Sequence, residues 1–295
     1  MSVPPLRPID ARGAALAILL SILWGANPVA IKVGLDDAPP IRLAWMRFVV
    51  GGVVVLAWGW ATGRLRGFRL EAGEWRPLLT LGVLFAAQIG SMNVGTGLTT
   101  AAHATVLLNL YAVHTVVLAH FLIPGNRLTA RRIAGVVIAY AGIVFLFQHQ
   151  VGRGAPTLAG DVVMFVSSLI LAERTVYLAR AVHHLDHVKI LLAQAAIGSA
   201  IFLVTSLAVE TAPTHWTWRL AGSIGFQGVI IAGFNFVANL WLLERYRPSV
   251  LATFFLTQPI FGVIAAALVT GDPLTTDLFV ASAAVAVGIG LTTWR

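Results

Sequence analysis

The sequence predicts an all-α integral membrane protein: ten transmembrane helices in two inverted-topology five-helix repeats, with both termini cytoplasmic. Three observations carry this expectation. Of 295 residues, 58% are hydrophobic and only 11% are charged, with a mean hydropathy of +0.85, whereas soluble chains carry about 25% charge. Ten apolar stretches have roughly the length, about 17–25 residues, that a ~30 Å hydrocarbon core demands of a helix. Finally, residues 124–142 return in altered form at 270–288.

The expected spans, in order, are 14–34, 41–61, 77–96, 101–122, 131–148, 159–180, 188–209, 220–243, 248–270 and 275–293. The leading MSVPPLRPIDARG lacks an apolar core with a small-residue cleavage site, so no cleaved signal is expected. The second and third spans are joined by TGRLRGFRLEAGEWR, the seventh and eighth by ETAPTHWTW, and neither connection could hold a soluble domain. The net charge of +8 is scattered through short loops, which marks topology rather than a nucleic-acid surface. Fifteen Lys and Arg residues, among them Arg12, Arg69, Arg132, Arg180 and Arg245, flank one side; Lys32, Arg42, Arg47, Arg153 and Arg219 lie on the other. The positive-inside bias therefore places both termini in the cytoplasm, which requires an even number of spans. The absence of cysteine excludes disulfides, thiolate metal sites and cysteine nucleophiles.

The internal match pairs Gly125 with Gly271, Leu128-Thr129 with Leu274-Thr275 and Gly142 with Gly288. It divides the chain into 1–150 and 151–295, each a five-helix repeat. Because five is odd, corresponding helices run in opposite directions. Inverted repeats of this kind place a binding site near the midplane between the halves.

Polar side chains at that depth are the candidate site: Trp24, Asn27, Gln88, Asn109, Tyr111, His114, Asn235, Asn239 and Gln258. Uncharged amides and aromatic rings at one level suit a zwitterionic or amphipathic organic solute; alternatively, each amide bridges two helices. Pro28 and Pro259 fall mid-span, where each frees a backbone carbonyl and bends or breaks its helix. Lys32 and Arg47 are expected near the outer ends of their spans, snorkelling to headgroups, pairing with Asp36 and Asp37, or gating. Glu173 and Arg174 are expected to pair at the inner end of the sixth span, where Glu173 is a gate or proton candidate. His183 and His187 stand one helical turn apart, but no distant ligand accompanies them, so no metal is expected. Small-xxx-small pairs, Gly135/Ala139 and Ala284/Gly288, suit spans five and ten to close packing or to a homodimer contact.

An early Trp-Gly with Lys32 eight residues beyond the Trp, Pro39-Pro40 and Arg47-Phe48 opening span two, TTAAHATVLLNL opening span four, and Gln258-Pro259 in span nine resemble the EamA branch of the drug/metabolite transporter superfamily. The likeness covers essentially the whole chain. Two departures are Tyr111-Ala112, where many relatives carry an acidic residue and proline, and Asn126, where Glu is common. The resemblance implies a secondary transporter in the bacterial inner membrane that exports small amphipathic metabolites by alternating access. Amino acids are the first expectation, as in exporters of the aromatic-amino-acid and methyl-viologen type. Its partners are then a small-molecule substrate and the lipid bilayer, with no cofactor and no nucleic acid. A nucleotide-sugar or phosphorylated-solute carrier would want basic residues deep in the cavity. A membrane enzyme would want clustered acids, histidines or a nucleophile. No GxxxxGK[ST] loop is present for ATP.

Overall fold

A computed structural model of the chain describes residues 8–65, 69–71, 73–148, 157–181, 185–243, 245–246 and 248–293. His183 of the paired histidines lies outside the described residues, as do Arg7, Arg66, Arg153, Arg247 and Arg295. Helices, and no β-strand, make up the regular structure among them.

The elements follow the predicted order. Helices α1 (Ala11–Gly25) and α2 (Asn27–Leu35) form the first span, α3 (Pro40–Ala61) the second and α4 (Trp75–Leu98) the third. Next come α5 (Ala101–Asn109) with α6 (Tyr111–Leu122), then α7 (Ala130–Gln148), α8 (Leu158–Ala181) and α9 (His187–Val209). The eighth span joins α10 (Trp218–Gly225), a π-helix (Phe226–Asn235) and α11 (Phe236–Leu243). The chain closes through α12 (Pro248–Phe255), α13 (Gln258–Val269) and α14 (Thr276–Thr293).

Among the described residues, nine stretches are long and apolar enough to cross a membrane, and Thr253–Val269 is a shorter apolar helix. Where the sequence predicts one helix over 248–270, two short ones stand instead. Pro259 sits in the first turn of α13, so its missing N–H falls where a helix has no internal bond to lose. Pro28 does the same at α2, dividing the first span at Ala26. The fourth span breaks at Leu110 without a proline. There Thr105 and Asn109 turn their side chains back onto the carbonyls of Ala101 and Thr105, at 2.9 and 2.8 Å, a competition that bends helices. Leu110 and Leu256 lie 146 residues apart, the offset of the sequence repeat, so the counterpart of the span-nine break is in span four. Gly125 and Gly271, at the same offset, both adopt the left-handed backbone that favours glycine, at φ 81° and 70°.

Helices α7 and α14 pack antiparallel along their small residues. A Cβ on Gly135 would lie 2.7 Å from the Gly288 carbonyl oxygen, and one on Gly288 would lie 2.6 Å from the Gly135 oxygen. The small-residue faces expected to serve packing or dimerisation thus meet each other within the chain. Ile133, Val137, Val144, Phe279, Val280 and Val287 are exposed on the outside of this pair.

Polar contacts define two ends of the bundle. The near end carries the start of α1, where Asp10 caps Gly13 N at 2.7 Å and accepts from the Tyr246 hydroxyl at 2.9 Å. These two bonds hold the Asp10 carboxyl below its usual range, the Gly13 N–H having the larger effect. The near end also joins α4 to α9, through Lys189 and Glu74 at 2.9 Å. Its apolar side chains form two separate clusters, one around Ala17, Leu20, Ala238 and Leu242, the other around Leu78, Leu81, Leu185 and Ile190. The rest of the interior is one continuous core contributed by nearly every span.

Candidate functional site

Three broken spans converge at mid-depth. A Cβ on Gly25 would stand 2.6 Å from the Gln258 carbonyl oxygen and 3.0 Å from Gly262 N, while one on Gly262 would run into Thr105. The breaks in spans one and nine therefore meet backbone to backbone, an approach that only glycine admits, and span four joins them through the Thr105 side chain. Beside them runs the π-helix of span eight, whose wider turns sit against α3: a Cβ on Gly228 would be 2.7 Å from Val50. π-Helical segments cost backbone geometry and recur at functional sites.

Around this crossing the predicted residues divide into two sets. In the first, Asn27 begins α2 directly after the break, and Asn235 and Asn239 lie one turn apart where the π-helix passes into α11. Asn235 donates to the Leu20 carbonyl at 3.4 Å. The side-chain oxygens of Asn27, Asn235 and Asn239 are all buried without a donor among the described residues. Buried amide oxygens are normally satisfied, and each orphan costs about 1–3 kcal/mol. Trp24 closes this set, edge-on to Phe236 at 6.2 Å and to Phe255 at 5.3 Å.

The second set lies on α4, α6 and α8. Gln88, 2% exposed, accepts from Arg174 Nη1 at 3.2 Å, and Tyr111 is an electrostatic neighbour of Arg174. The expected interface pair of Glu173 with Arg174 is not formed; the guanidinium turns inward to the amide instead. Glu173 has no ion-pair partner among the described residues. A cavity of about 20 Å³ nearby is lined by Phe85, Phe48, Gln194 and Phe236. Phe85 lies beneath Arg174 at 5.2 Å.

Other predicted residues fall outside both sets. Asn109 spends its amide on Thr105, within its own helix. His114 meets the Ser168 hydroxyl at 3.2 Å and packs on Phe165, with its Nε2 unpartnered among the described residues. Gln258 is 8% exposed at the α13 start. Arg47 is not at an interface: it is 3% exposed, donates to Gln227 at 3.0 Å and lies over Phe48 at 4.5 Å. Gln227 in turn donates to Ser223, which donates to the Ala30 carbonyl, at 2.7 Å each.

Lys32 neither snorkels nor pairs with Asp36 or Asp37. Its ammonium donates to the carbonyls of Thr96, Gly97 and Thr99, at 3.1, 3.1 and 2.6 Å, and so clasps the end of α4. Asp36 pairs with Arg219 at 3.1 Å, and Asp37 accepts from Thr217 at 2.5 Å. The same α4–α5 connection is held from two more directions. Fully buried Asp161 of α8 accepts from the Thr99 hydroxyl and meets His103 Nδ1 at 3.0 Å. Asp272 accepts from Ala102 N at 2.9 Å. Asp161 and Asp272 were missed in the sequence because each sits at a span boundary and reads there as an ordinary loop acid.

Comparison with known proteins agrees with this architecture. Residues 11–148 and 158–294 each match the EamA-like transporter family. The chain is 21% identical to the "Uncharacterized transporter YoaV" of Bacillus subtilis, covering 94% of this chain and 95% of that protein. It is 26% identical to the "Uncharacterized inner membrane transporter YedA" of Escherichia coli K12, over 87% and 82%. It is 23% identical to the "Probable amino-acid metabolite efflux pump" of the same strain, over 95% and 94%. A crystal structure described only as that of a protein shares the fold, with a TM-score of 0.68 at 19% identity over 96% of both chains.

Proposed function

The chain belongs to the EamA-like transporter family, and from that premise we propose that it is a secondary exporter of amino acids, aromatic ones included. It works by alternating access in the bacterial inner membrane, as a ten-span protein with both termini cytoplasmic. The observation that carries the substrate reading is the pair of donor-less amide oxygens of Asn235 and Asn239 beside the Trp24–Phe236–Phe255 rings, with that of Asn27 farther along span one. Asn235 and Asn239, one turn apart, offer acceptors to an ammonium group, the rings cover an apolar side chain, and Asn27 lies about two turns along span one from the Leu20 carbonyl that Asn235 meets. One relative is itself named a probable amino-acid metabolite efflux pump. In this orientation the clasped far end faces outward and is shut, and the two near-end clusters part to admit substrate from inside.

Counterflow in proteoliposomes with a panel of labelled amino acids tests the reading. Exchange of several amino acids is expected, and Asn27→Leu or Asn235→Leu abolishes it while folded protein still reaches the membrane. Exchange of some other solute and of no amino acid overturns the substrate assignment. A second reading, a carrier of phosphorylated or nucleotide-linked solutes, is favoured by the inward positions of Arg47 and Arg174. Nucleotide sugars therefore belong in the same panel.

A further inference from the structure

We propose that Arg174 is the carboxylate-binding group of the transport site, working with Gln88 and Tyr111. This rests on the reading of the mid-depth cluster as a site for amphipathic solutes, and it fixes one end of the solute. Arg174 is a full cation inside a membrane span, where an uncompensated charge is costly. No carboxylate pairs with it among the described residues. Its described hydrogen bond, to the Gln88 amide oxygen at 3.2 Å, uses one of five N–H donors. The Phe85 ring at 5.2 Å supplies a cation–π contact and leaves the guanidinium edge free.

Arg47 shows the contrast. It also stands over a ring, that of Phe48, and also bonds an amide, that of Gln227, but it is 3% exposed and sealed among α3 and the π-helix. Arg174 remains partly exposed inside the bundle, so its remaining donors open onto solvent-accessible space. A planar fork of donors at that position matches a carboxylate in bidentate geometry. The ring under Arg174 faces Phe48 at 4.6 Å and shares the small central cavity with Phe236, which contacts Trp24. A solute with its carboxylate at Arg174 on α8 turns its apolar part toward the rings of Phe85 and Phe48.

The test compares exchange of phenylalanine, phenethylamine and 3-phenylpropionate in proteoliposomes, for wild type, Arg174→Gln and Arg174→Lys. Wild type is expected to prefer solutes bearing a carboxylate. Arg174→Gln lowers the ratio of phenylalanine to phenethylamine exchange at least about tenfold, the effect of roughly 1.4 kcal/mol. Arg174→Lys recovers part of it, because an ammonium supplies charge without the fork. An unchanged ratio, with all exchange reduced alike, makes Arg174 structural and overturns the proposal. Should Arg174→Gln not reach the membrane, the ratio in Arg174→Lys decides in the same way. If wild type exchanges 3-phenylpropionate but no amino acid, the amino-acid reading fails while Arg174 is still judged by its ratio against the acid. If wild type carries only solutes lacking a carboxylate, the proposal falls.

Discussion

At the far end of the bundle, Lys32, Asp161 and Asp272, drawn from span one, span six and the α13–α14 connection, all hold the short segment between α4 and α5. At the near end, Asp10 with Tyr246 and Lys189 with Glu74 each tie together helices of a single apolar cluster, and the two clusters stay distinct. The far end therefore opens only if several charged bonds break together, whereas the near end opens by parting apolar surfaces. On the alternating-access reading proposed above, that difference makes the far end the gate with a threshold. It also explains why the polar contacts there are buried while the exposed Asp36–Arg219 pair beside them adds little.

The largest effect is expected from Asp161→Ala, which leaves the Thr99 hydroxyl and His103 without their shared acceptor. Since the chain has no cysteines, an Ala104→Cys reporter beside the clasp can be labelled with a membrane-impermeant maleimide without background. Its labelling rate from the far side should rise by about tenfold, as a shut state loses population. No change would remove the clasp from the gate and erase the contrast between the ends.

A moderate effect, and of another kind, is expected from Lys189→Met at the near end. Glu74 is 7% exposed, so losing this one ion pair should lower stability by about 1–2 kcal/mol, measured by thermal unfolding in detergent. Far-side labelling of Ala104→Cys should not move; a rise would mean that the ends are coupled more tightly than their separate contacts imply.

The smallest effect belongs to Tyr246→Phe, with a transition temperature within about 2 °C of wild type. Its sign with pH is fixed. The folded Asp10 carboxyl titrates below its usual 3.8, so the tie is present above that value and lost as pH falls through the folded pKa. Wild type and Tyr246→Phe should therefore converge in stability only once pH has fallen through the folded Asp10 pKa, below 3.8. A difference that persists there would assign Tyr246 a packing role instead.

Much of the fold was legible in residue order. Membrane spans announce themselves by length and apolarity, and Gly125 and Gly271 carried the repeat because a left-handed turn selects glycine twice. The breaks at Pro28 and Pro259 were visible for a similar covalent reason: proline has no N–H to give. The break at Leu110 was not, because it comes from side chains competing for backbone carbonyls, a local balance that composition does not report. The π-helix was hidden too, since FQGVIIAGFN reads as an ordinary apolar turn until Val50 and Val54 press against its glycines.

For the site, depth along each span came from the sequence, and partners did not. Counting residues gave Asn27, Asn235 and Gln88 one expected level, whereas Asn235 meets Leu20, about two turns from Asn27. Which amide oxygens lack a donor depends on which helices stand opposite. Lys32 and Arg174 show the limit most sharply, since both looked like rim cations bound for headgroups or a neighbouring acid. Hydropathy fixes how far a charge lies from the end of its own helix. The direction in which a long side chain turns is decided by what the packed neighbours offer: three free carbonyls for Lys32, an amide and an aromatic face for Arg174.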